Sequence, residues 1–216
     1  MKLGITTRFN QNENCFAVNR PYLDFLAQFN LELIYLTEND PDLSDLLNQC
    51  DYLLLTGGND IDSCFYNEPL SDKAENVRKS TDLFDFEIIR YAEKTKKPLF
   101  GICRGLQAIN VYFKGSLLQD IENHREISNN HFINLNCGKN FLTEIFAESI
   151  LNVNSYHHQA INRLAFDLTV CAKSNDDIIE AIEHKFLPIV ATQWHIEKLN
   201  NQDSLKIFRY FLNLKK

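Results

Sequence analysis

The chain has 216 residues, of which 44% are hydrophobic and 24% are charged, and its formal net charge is −7. A chain of this length buries enough apolar surface to be stable without disulfides or a structural metal, so we expect residues 1–216 to form one domain. The acidic balance argues against a nucleic-acid binder, and no apolar run approaches the ~20 residues that cross a bilayer. The N-terminus turns polar at once, unlike a signal peptide, so we expect a cytoplasmic protein with no membrane partner.

The first half of the chain alternates short apolar runs with helical patterns. The apolar runs predict strands, and apolar residues at helical spacing predict the helices between them. Strands that are apolar throughout are typical of a sheet covered on both faces. The pattern therefore predicts an α/β sandwich with a mostly parallel central sheet and helices on both faces. The strands are expected at 3–9, 31–36, 52–56 and 98–103, and the helices near 21–29, 43–47, 84–92 and 106–113.

The second half is richer in strands. Apolar segments at 168–172, 178–182 and 189–194 predict three of them, and the segment from 176 to 184 suits an antiparallel hairpin. After these strands, apolar residues at helical spacing predict a further helix. Its apolar face would contain Leu205, Phe208 and Leu212.

The most specific local pattern is a Gly-x-Cys-x-Gly turn centred on Cys103, between an apolar strand and an apolar helix. A nucleophile held at a tight strand-to-helix turn needs small residues two positions to either side, here Gly101 and Gly105. The N-terminus of the following helix stabilises a thiolate and offers free N–H groups to an oxyanion. The alternative is a small buried hydrophobe. That is our interpretation of most of the six cysteines, since none has the C-x-x-C spacing of a metal or redox site.

A nucleophilic cysteine needs a base, and the chain has six histidines. His195 follows an apolar strand and precedes Glu197 by two residues, so both side chains are predicted on one side of an extended segment. A carboxylate in that position orients the imidazole and stabilises its protonated form. His157 and His158 compete for the role of base, and a strand-end histidine beside a solvated glutamate is the simpler alternative.

Four blocks resemble class I glutamine amidotransferase domains, most closely the γ-glutamyl-γ-aminobutyrate hydrolase-like branch, peptidase family C26. They are the Gly-Gly-x-Asp loop at 57–61, the cysteine block at 101–110, the Asn-Ser-x-His-His-Gln block at 154–161 and the Gln-Trp-His-x-Glu block at 193–197. Their order and spacing are those of the family, and together they span most of the chain. The resemblance implies a flavodoxin-like three-layer sandwich and a cysteine hydrolase that needs neither a cofactor nor a metal.

The resemblance also implies roles for individual residues. Cys103 would attack the γ-carbonyl of a glutamyl amide, His195 would take the thiol proton and give it to the leaving amine, and Glu197 would orient His195. The other implied site residues would bind the oxyanion (Gly58, Asn59 and Arg104) or the glutamyl group (Gln107, Ser155, Tyr156 and His157).

Three positions depart from the family pattern, and one of them is Asp62, which stands where the Gly-Gly-x-Asp loop often continues towards a proline. Ile196 replaces the proline that usually follows the histidine, which predicts a looser turn. Phe84 replaces an arginine at the start of a helix whose acidic residues, Asp82 and Asp85, are retained. All residues with an implied catalytic role are present, and this disfavours a binding protein without catalytic activity.

The expected activity is that of a free-standing hydrolase that releases glutamate from a small γ-glutamyl conjugate. The first candidate substrate is γ-glutamyl-CDP-amidate, whose cleavage gives CDP-amidate for capsule phosphoramidate, and the second is γ-glutamyl-γ-aminobutyrate. The runner-up is a glutaminase subunit that donates ammonia to a separate synthase. We expect no obligatory synthase subunit, because the sequence shows no second catalytic module. A homodimer is compatible with the sequence.

The leaving-group pocket is expected in three segments, 8–20, 59–80 and 123–140. Basic residues there are candidates to contact an anionic leaving group, and solvated surface is the alternative for each. The candidates are Arg8, Arg20, Lys73, Arg78, Lys79, His124, Arg125 and His131.

Overall fold

The computed structural model describes residues 1–125 and 130–214. Thirteen strands lie in these ranges, nine of them in one central sheet. In chain order the strands are β1 (Lys2–Thr6), β2 (Arg8–Asn10), β3 (Cys15–Ala17), β4 (Glu32–Leu36), β5 (Tyr52–Leu55), β6 (Leu99–Ile102), β7 (Ser116–Leu118), β8 (His131–Leu135), β9 (Ile150–Val153), β10 (Ala160–Arg163), β11 (Leu168–Ser174), β12 (Ile179–His184) and β13 (Ile189–Thr192).

Helices connect most of the strands in the first half of the chain, as the alternating pattern predicts. They are α1 (Arg20–Leu26), α2 (Leu43–Gln49), a 3-10 helix (Ser63–Tyr66), α3 (Lys79–Thr95), α4 (Arg104–Tyr112), α5 (Phe141–Ile145), α6 (Ile196–Leu199) and α7 (Gln202–Asn213). No helix in the described ranges is both long enough and apolar enough to span a membrane.

The central sheet has the strand order β4-β1-β5-β6-β13-β12-β11-β8-β9. The first five strands are parallel, whereas every pairing from β13 to β9 is antiparallel. The strand β13 therefore joins the two halves, with a parallel neighbour on one side and an antiparallel neighbour on the other. Two small sheets, β2-β3 and β7-β10, lie outside it.

Side chains on successive strand positions alternate between two hydrophobic cores, one on each face of the sheet. Leu53 and Leu55 belong to the core that contains Ile88 of α3, whereas Leu54 belongs to the core that contains Phe208 of α7. This alternation is what a pleated strand imposes, and it requires apolar residues at every position of a strand covered on both sides. The structure confirms the predicted three-layer α/β fold.

The predicted antiparallel hairpin over residues 176–184 is confirmed, because β12 pairs with β11 in that sense. The predicted strand at 3–9 is instead two strands. The backbone N–H of Thr7 still donates to the Leu36 carbonyl, at 2.8 Å, and from Arg8 onward the chain pairs with β3 and leaves the central sheet. Both β8 and β9 were absent from the predicted set.

Candidate active site

Cys103 lies directly after β6 and immediately before α4, at the carboxyl edge of the parallel strands. Its φ of 53° and ψ of −102° are strained for a residue with a side chain, and such strain is concentrated at functional sites. The backbone N–H of Cys103 donates to the Thr192 carbonyl at 2.8 Å, which ties the turn to the end of β13. The structure thus has the sharp strand-to-helix turn that the sequence predicts.

The two glycines around Cys103 are required by close packing. A Cβ on Gly105 would lie 2.6 Å from the carbonyl oxygen of Leu55, and a Cβ on Gly101 would lie 2.7 Å from the carbonyl carbon of Gly105. Both neighbours are backbone atoms that cannot rotate away. The Gly-x-Cys-x-Gly spacing therefore lets the turn pack against β5.

His195 reaches the same edge because β13 pairs in parallel with β6. Its Nδ1 lies 2.5 Å from Oε1 of Glu197, so the carboxylate orients the ring and leaves Nε2 for Cys103. Burial lowers the pKa of His195, but the adjacent Cys103 sulfur and then the Glu197 carboxylate outweigh this effect and raise it to about 9. The arrangement favours a protonated imidazole beside the Cys103 sulfur.

Two residues to which the sequence reasoning gave no role hold this pair in position. The Asn154 side chain accepts a hydrogen bond from the His195 backbone N–H at 2.9 Å and donates to the His195 carbonyl at 2.8 Å. The Gln193 side chain lies 3.5 Å from the Cys103 sulfur. Both belong to blocks that the sequence analysis singled out, but only their positions in space show what they contact.

Cys103, His195 and Glu197 open into a cavity of about 570 Å³. Of the three residues predicted to bind an oxyanion, Gly58 and Asn59 also line it and Arg104 does not. The neighbouring Gly57 donates its own N–H to the Tyr22 hydroxyl at 2.8 Å. A Cβ on Gly57 would lie 2.8 Å from Cε1 of His195, so a glycine is needed for the loop to approach the imidazole this closely.

Arg104 has its backbone at the start of α4, whereas its side chain is buried beneath the site. The guanidinium donates to Asp82 at 2.5 Å and to Asp85, and Asp85 also pairs with Arg8 at 2.8 Å. Arg8 in turn donates to the carbonyl of Gly57 at 3.0 Å. This buried network ties the residue after Cys103 to the loop at 57–59 through α3, and it gives the retained acidic residues of α3 a positioning role.

The four residues predicted to bind the glutamyl group are placed differently. Tyr156 lines the cavity, but the other three do not. Gln107 donates to the Gln159 carbonyl at 3.0 Å and to the Gln193 side chain at 3.2 Å. The other two lie in a buried histidine cluster: Ser155 donates to the His124 carbonyl, and His157 contacts Glu180.

Neither alternative base is placed next to Cys103. His157 Nδ1 lies 3.0 Å from the Gln159 carbonyl, and His158 is held between Asp60 and Asp120 at 3.1 and 3.2 Å. Of these three histidines, His195 is the one whose side chain interacts with the Cys103 sulfur. The geometry therefore favours His195 as the partner of the cysteine.

Of the basic residues considered for an anionic leaving group, Arg8 and Arg20 line the cavity. Lys198, which the sequence analysis did not single out, also lines it, and its Nζ lies 3.8 Å from the centre of the Tyr156 ring. In the third candidate segment, residues 126–129 lie outside the described ranges. The remaining candidates do not line the cavity: Lys73, Arg78, Lys79, His124, Arg125 and His131.

The chain is similar to several known proteins. The sequence model of the Peptidase C26 family matches residues 6–197. The glutamine amidotransferase-like protein YvdE of Lactococcus lactis is 35% identical, over 82% of this chain and 78% of that protein. The gamma-glutamyl-CDP-amidate hydrolase of Campylobacter jejuni is 30% identical, over 99% of this chain and 98% of that protein. A glutamine amidotransferase crystal structure from Thermotoga maritima has the same fold, with a TM-score of 0.63 at 18% identity, covering 96% of this chain and 82% of that chain.

Proposed function

The chain belongs to the Peptidase C26 family and is a hydrolase of amide bonds, and we propose that Cys103, His195 and Glu197 carry out the reaction on a γ-glutamyl conjugate. One observation carries this proposal. A strained cysteine at a strand-to-helix turn contacts a histidine whose other nitrogen is held by a buried carboxylate, and all three line one cavity. A nucleophile, a base and an orienting acid in this relation are the elements of acyl transfer through a thioester.

In the first half of the reaction, the Cys103 sulfur attacks the γ-carbonyl carbon. The negative charge that develops on the carbonyl oxygen is stabilised by backbone N–H groups of Arg104 and of the Gly58–Asn59 loop. The imidazolium of His195 gives its proton to the leaving nitrogen as the C–N bond breaks. The products of this step are a glutamyl thioester on Cys103 and a free amine or amidate.

In the second half, neutral His195 takes a proton from water, and the resulting hydroxide attacks the thioester carbon. Glutamate leaves, and the thiolate–imidazolium pair is restored. Glu197 stabilises the imidazolium whenever it forms. Tyr156 lines the cavity beside this pair, and we assign it a contact with the glutamyl group.

The preferred leaving group is a nucleotide-type anion, and γ-glutamyl-CDP-amidate is the first candidate. Arg8, Arg20 and Lys198 all line the cavity, and cations there suit the phosphates of such a group. The full-length similarity to a gamma-glutamyl-CDP-amidate hydrolase supports the same choice. γ-Glutamyl-γ-aminobutyrate, which carries one carboxylate, is the second candidate.

A kinetic screen of the purified chain tests the proposal. The substrates are glutamine, γ-glutamyl-γ-aminobutyrate, a folyl polyglutamate and γ-glutamyl-CDP-amidate, and released glutamate is measured for wild type and Cys103→Ala. We expect the highest kcat/KM for the CDP-amidate, slow hydrolysis of glutamine, and no turnover by the variant. Equal kcat/KM for glutamine and every conjugate, or turnover only after a synthase is added, would instead indicate an ammonia-donating subunit.

A further inference from the structure

A second group of ionisable side chains lies outside the cavity, around Glu180 at the start of β12. One carboxylate oxygen, Oε1, lies 3.3 Å from His131 Nε2, 3.6 Å from His157 Nε2 and 3.7 Å from His124 Nδ1. Neither oxygen of Glu180 has a hydrogen-bond partner among the described residues. Three imidazoles thus surround a carboxylate without making the short bonds that charged groups normally form.

The hydrogen bonds of His157 show which of its ring nitrogens carries a hydrogen and which one faces Glu180. Its Nδ1 lies 3.0 Å from the Gln159 carbonyl, which can only accept, so Nδ1 carries the hydrogen. In the neutral ring, Nε2 then presents a lone pair towards the Glu180 carboxylate, which also has only lone pairs to offer. Two acceptors aimed at each other in a buried site need a positive charge between them.

His124 has a similar arrangement. Its Nε2 lies 3.1 Å from a carboxylate oxygen of Asp176, which fixes a hydrogen on that nitrogen, and its Nδ1 lies 3.7 Å from Glu180 Oε1 and 3.1 Å from the Ser155 hydroxyl oxygen. The hydroxyl hydrogen of the nearby Ser155 is donated to the His124 carbonyl at 2.7 Å. A carboxylate that holds the far nitrogen of a histidine is the usual outer partner of a metal-ligating imidazole.

The charge of Glu180 needs compensation. The side chain is fully buried, and within the described ranges its only ion-pair partners are these histidines. A buried carboxylate without a compensating cation is strongly unfavourable.

We propose that His124, His131 and Glu180 bind a divalent transition-metal ion, with Zn²⁺ as the best fit, and that His157 lies beside this site through its contact with Glu180. Two ligand atoms at tetrahedral zinc lie about 3.3 Å apart, since each is about 2.0 Å from the metal. The separations of 3.3 to 3.7 Å from Glu180 Oε1 are close to this value, and one ligand atom each from His124, His131 and Glu180 all lie within 4.8 Å of one another. Two imidazoles and one carboxylate suit Zn²⁺ better than Ca²⁺ or Mg²⁺.

The ion would serve a positioning role rather than take part in the hydrolysis. None of the three protein ligands lines the cavity that contains Cys103, so the ion would not contact the substrate. The site links β8, β12 and the segment that holds Ser155 and His157. Tyr156 lies between those two residues and does line the cavity, so the metal would fix the position of Tyr156.

Metal content of the full chain, purified without chelators and dialysed against Zn²⁺, tests the site. We expect about one equivalent of Zn²⁺ per chain and a higher Tm than after chelation. Asp176→Asn should weaken binding by roughly 10- to 100-fold, because it removes the charge that orients His124. The side chain of Asp176 is half exposed, so this change should not prevent folding.

A second variant and a control complete the test. His131→Asn removes a ligand that is partly exposed, and it should abolish stoichiometric binding while circular dichroism shows a folded chain. His184→Gln is the matched control, because His184 ends the same strand as Glu180 but lies outside the cluster, and its Zn²⁺ content should equal that of wild type. With Co²⁺ in place of Zn²⁺, we expect visible bands of a four-coordinate nitrogen and oxygen site without thiolate charge transfer.

The proposal would be overturned by wild-type protein that binds well under one equivalent of Zn²⁺, or by variants that bind as much as wild type. It would also fail if NMR of the metal-free and Zn²⁺-treated chains gave the same spectrum, with His124 and His157 doubly protonated in both. In that case protons, rather than a metal ion, compensate Glu180.

Discussion

Two histidine–carboxylate groups lie near β13, the strand at which the parallel and antiparallel parts of the sheet meet, and they differ in geometry. His195 and Glu197 form one 2.5 Å contact at the wall of a cavity. Glu180 is instead surrounded by three imidazoles at 3.3 to 3.7 Å and does not line the cavity. A short one-to-one contact sets the position of a proton, whereas longer contacts around one oxygen leave space for an ion.

The sheet explains why these two groups are neighbours. In an all-parallel sheet, all strands would end at the edge where Cys103 lies. Because β12 runs antiparallel to β13, its first residues lie beside the last residues of β13, and Gln193 donates its backbone N–H to the Glu180 carbonyl at 2.7 Å. One strand reversal thus places the start of β12 beside the end of β13.

The largest expected effect is a loss of turnover that leaves metal binding at Glu180 unchanged. Cys103→Ala removes the nucleophile, so turnover should fall by about 10⁴-fold or more. The turn accepts a small side chain, and Zn²⁺ content should stay at the wild-type value. Glutamate release and metal analysis on the same preparation measure both. Substantial turnover by this variant would show that the chemistry does not depend on Cys103.

The next comparison is between two histidines. His195→Ala should lower kcat by about 10²- to 10⁴-fold, the usual contribution of a general base. His131→Asn should lower kcat by about tenfold at most, because His131 acts only through the position of Tyr156. Steady-state kinetics of both variants measure the difference. A larger loss for His131→Asn than for His195→Ala would reverse the roles assigned here.

The alkaline limb of the pH dependence should report on His195. Its pKa is raised to about 9, so the imidazolium is present below that pH and kcat/KM should fall as the pH rises through about 9. Glu197→Gln removes the charge that supports the imidazolium, so the alkaline limb should move to lower pH, with a smaller rate loss than His195→Ala. Profiles of log kcat/KM between pH 6 and 10 measure this shift.

The raised pKa of His195 also affects the stability of the folded chain. A folded-state pKa above the unfolded value of 6.5 stabilises the folded chain below about pH 6.5, and this contribution is lost as the pH rises through about 9. Urea unfolding of wild type and His195→Gln at pH 6 and pH 9.5 should therefore give curves that converge at the higher pH. An unchanged difference in unfolding free energy would contradict the raised pKa.

The smallest predicted effect concerns the leaving group. Lys198→Ala should raise KM for γ-glutamyl-CDP-amidate by about fivefold, equivalent to about 1 kcal/mol for a partly exposed ionic contact. KM for glutamine should not change, and the difference should shrink at high salt. Lys206→Ala is the control, because Lys206 is exposed and does not line the cavity. Equal effects on both substrates would place Lys198 on the glutamyl side.

Much of the fold could be predicted because the parallel half of the sheet leaves a strong local signal. Strands such as β5 and β6 are covered on both faces, so nearly every residue is apolar, and the helices between them repeat at helical spacing. The antiparallel half gives a weaker signal. In β8 and β9, exposed residues such as Phe132 and Asn152 alternate with buried ones over only four or five positions.

The candidate site likewise contains residues that the sequence could predict and residues that it could not. Cys103 and His195 could be predicted because the turn that holds each of them restricts which residue types lie next to it in the sequence. The clamp between Asn154 and His195, and the contact of Gln193 with the Cys103 sulfur, join residues 41 and 90 positions apart, so local patterns could not indicate them. The cluster around Glu180 likewise assembles side chains from three separate segments, and in the sequence those histidines are scattered.

The central position of β13 also bears on how the protein reaches its folded state. It is the last strand of the sheet in chain order, yet it lies between β6 and β12. During synthesis from the N-terminus, four parallel strands and four antiparallel ones would emerge before the strand that joins them. Both open edges would stay unpaired until then, which favours slow folding and edge-to-edge association of incomplete chains. Because His195 follows β13 directly, a nascent chain would gain its base only in the step that closes the sheet.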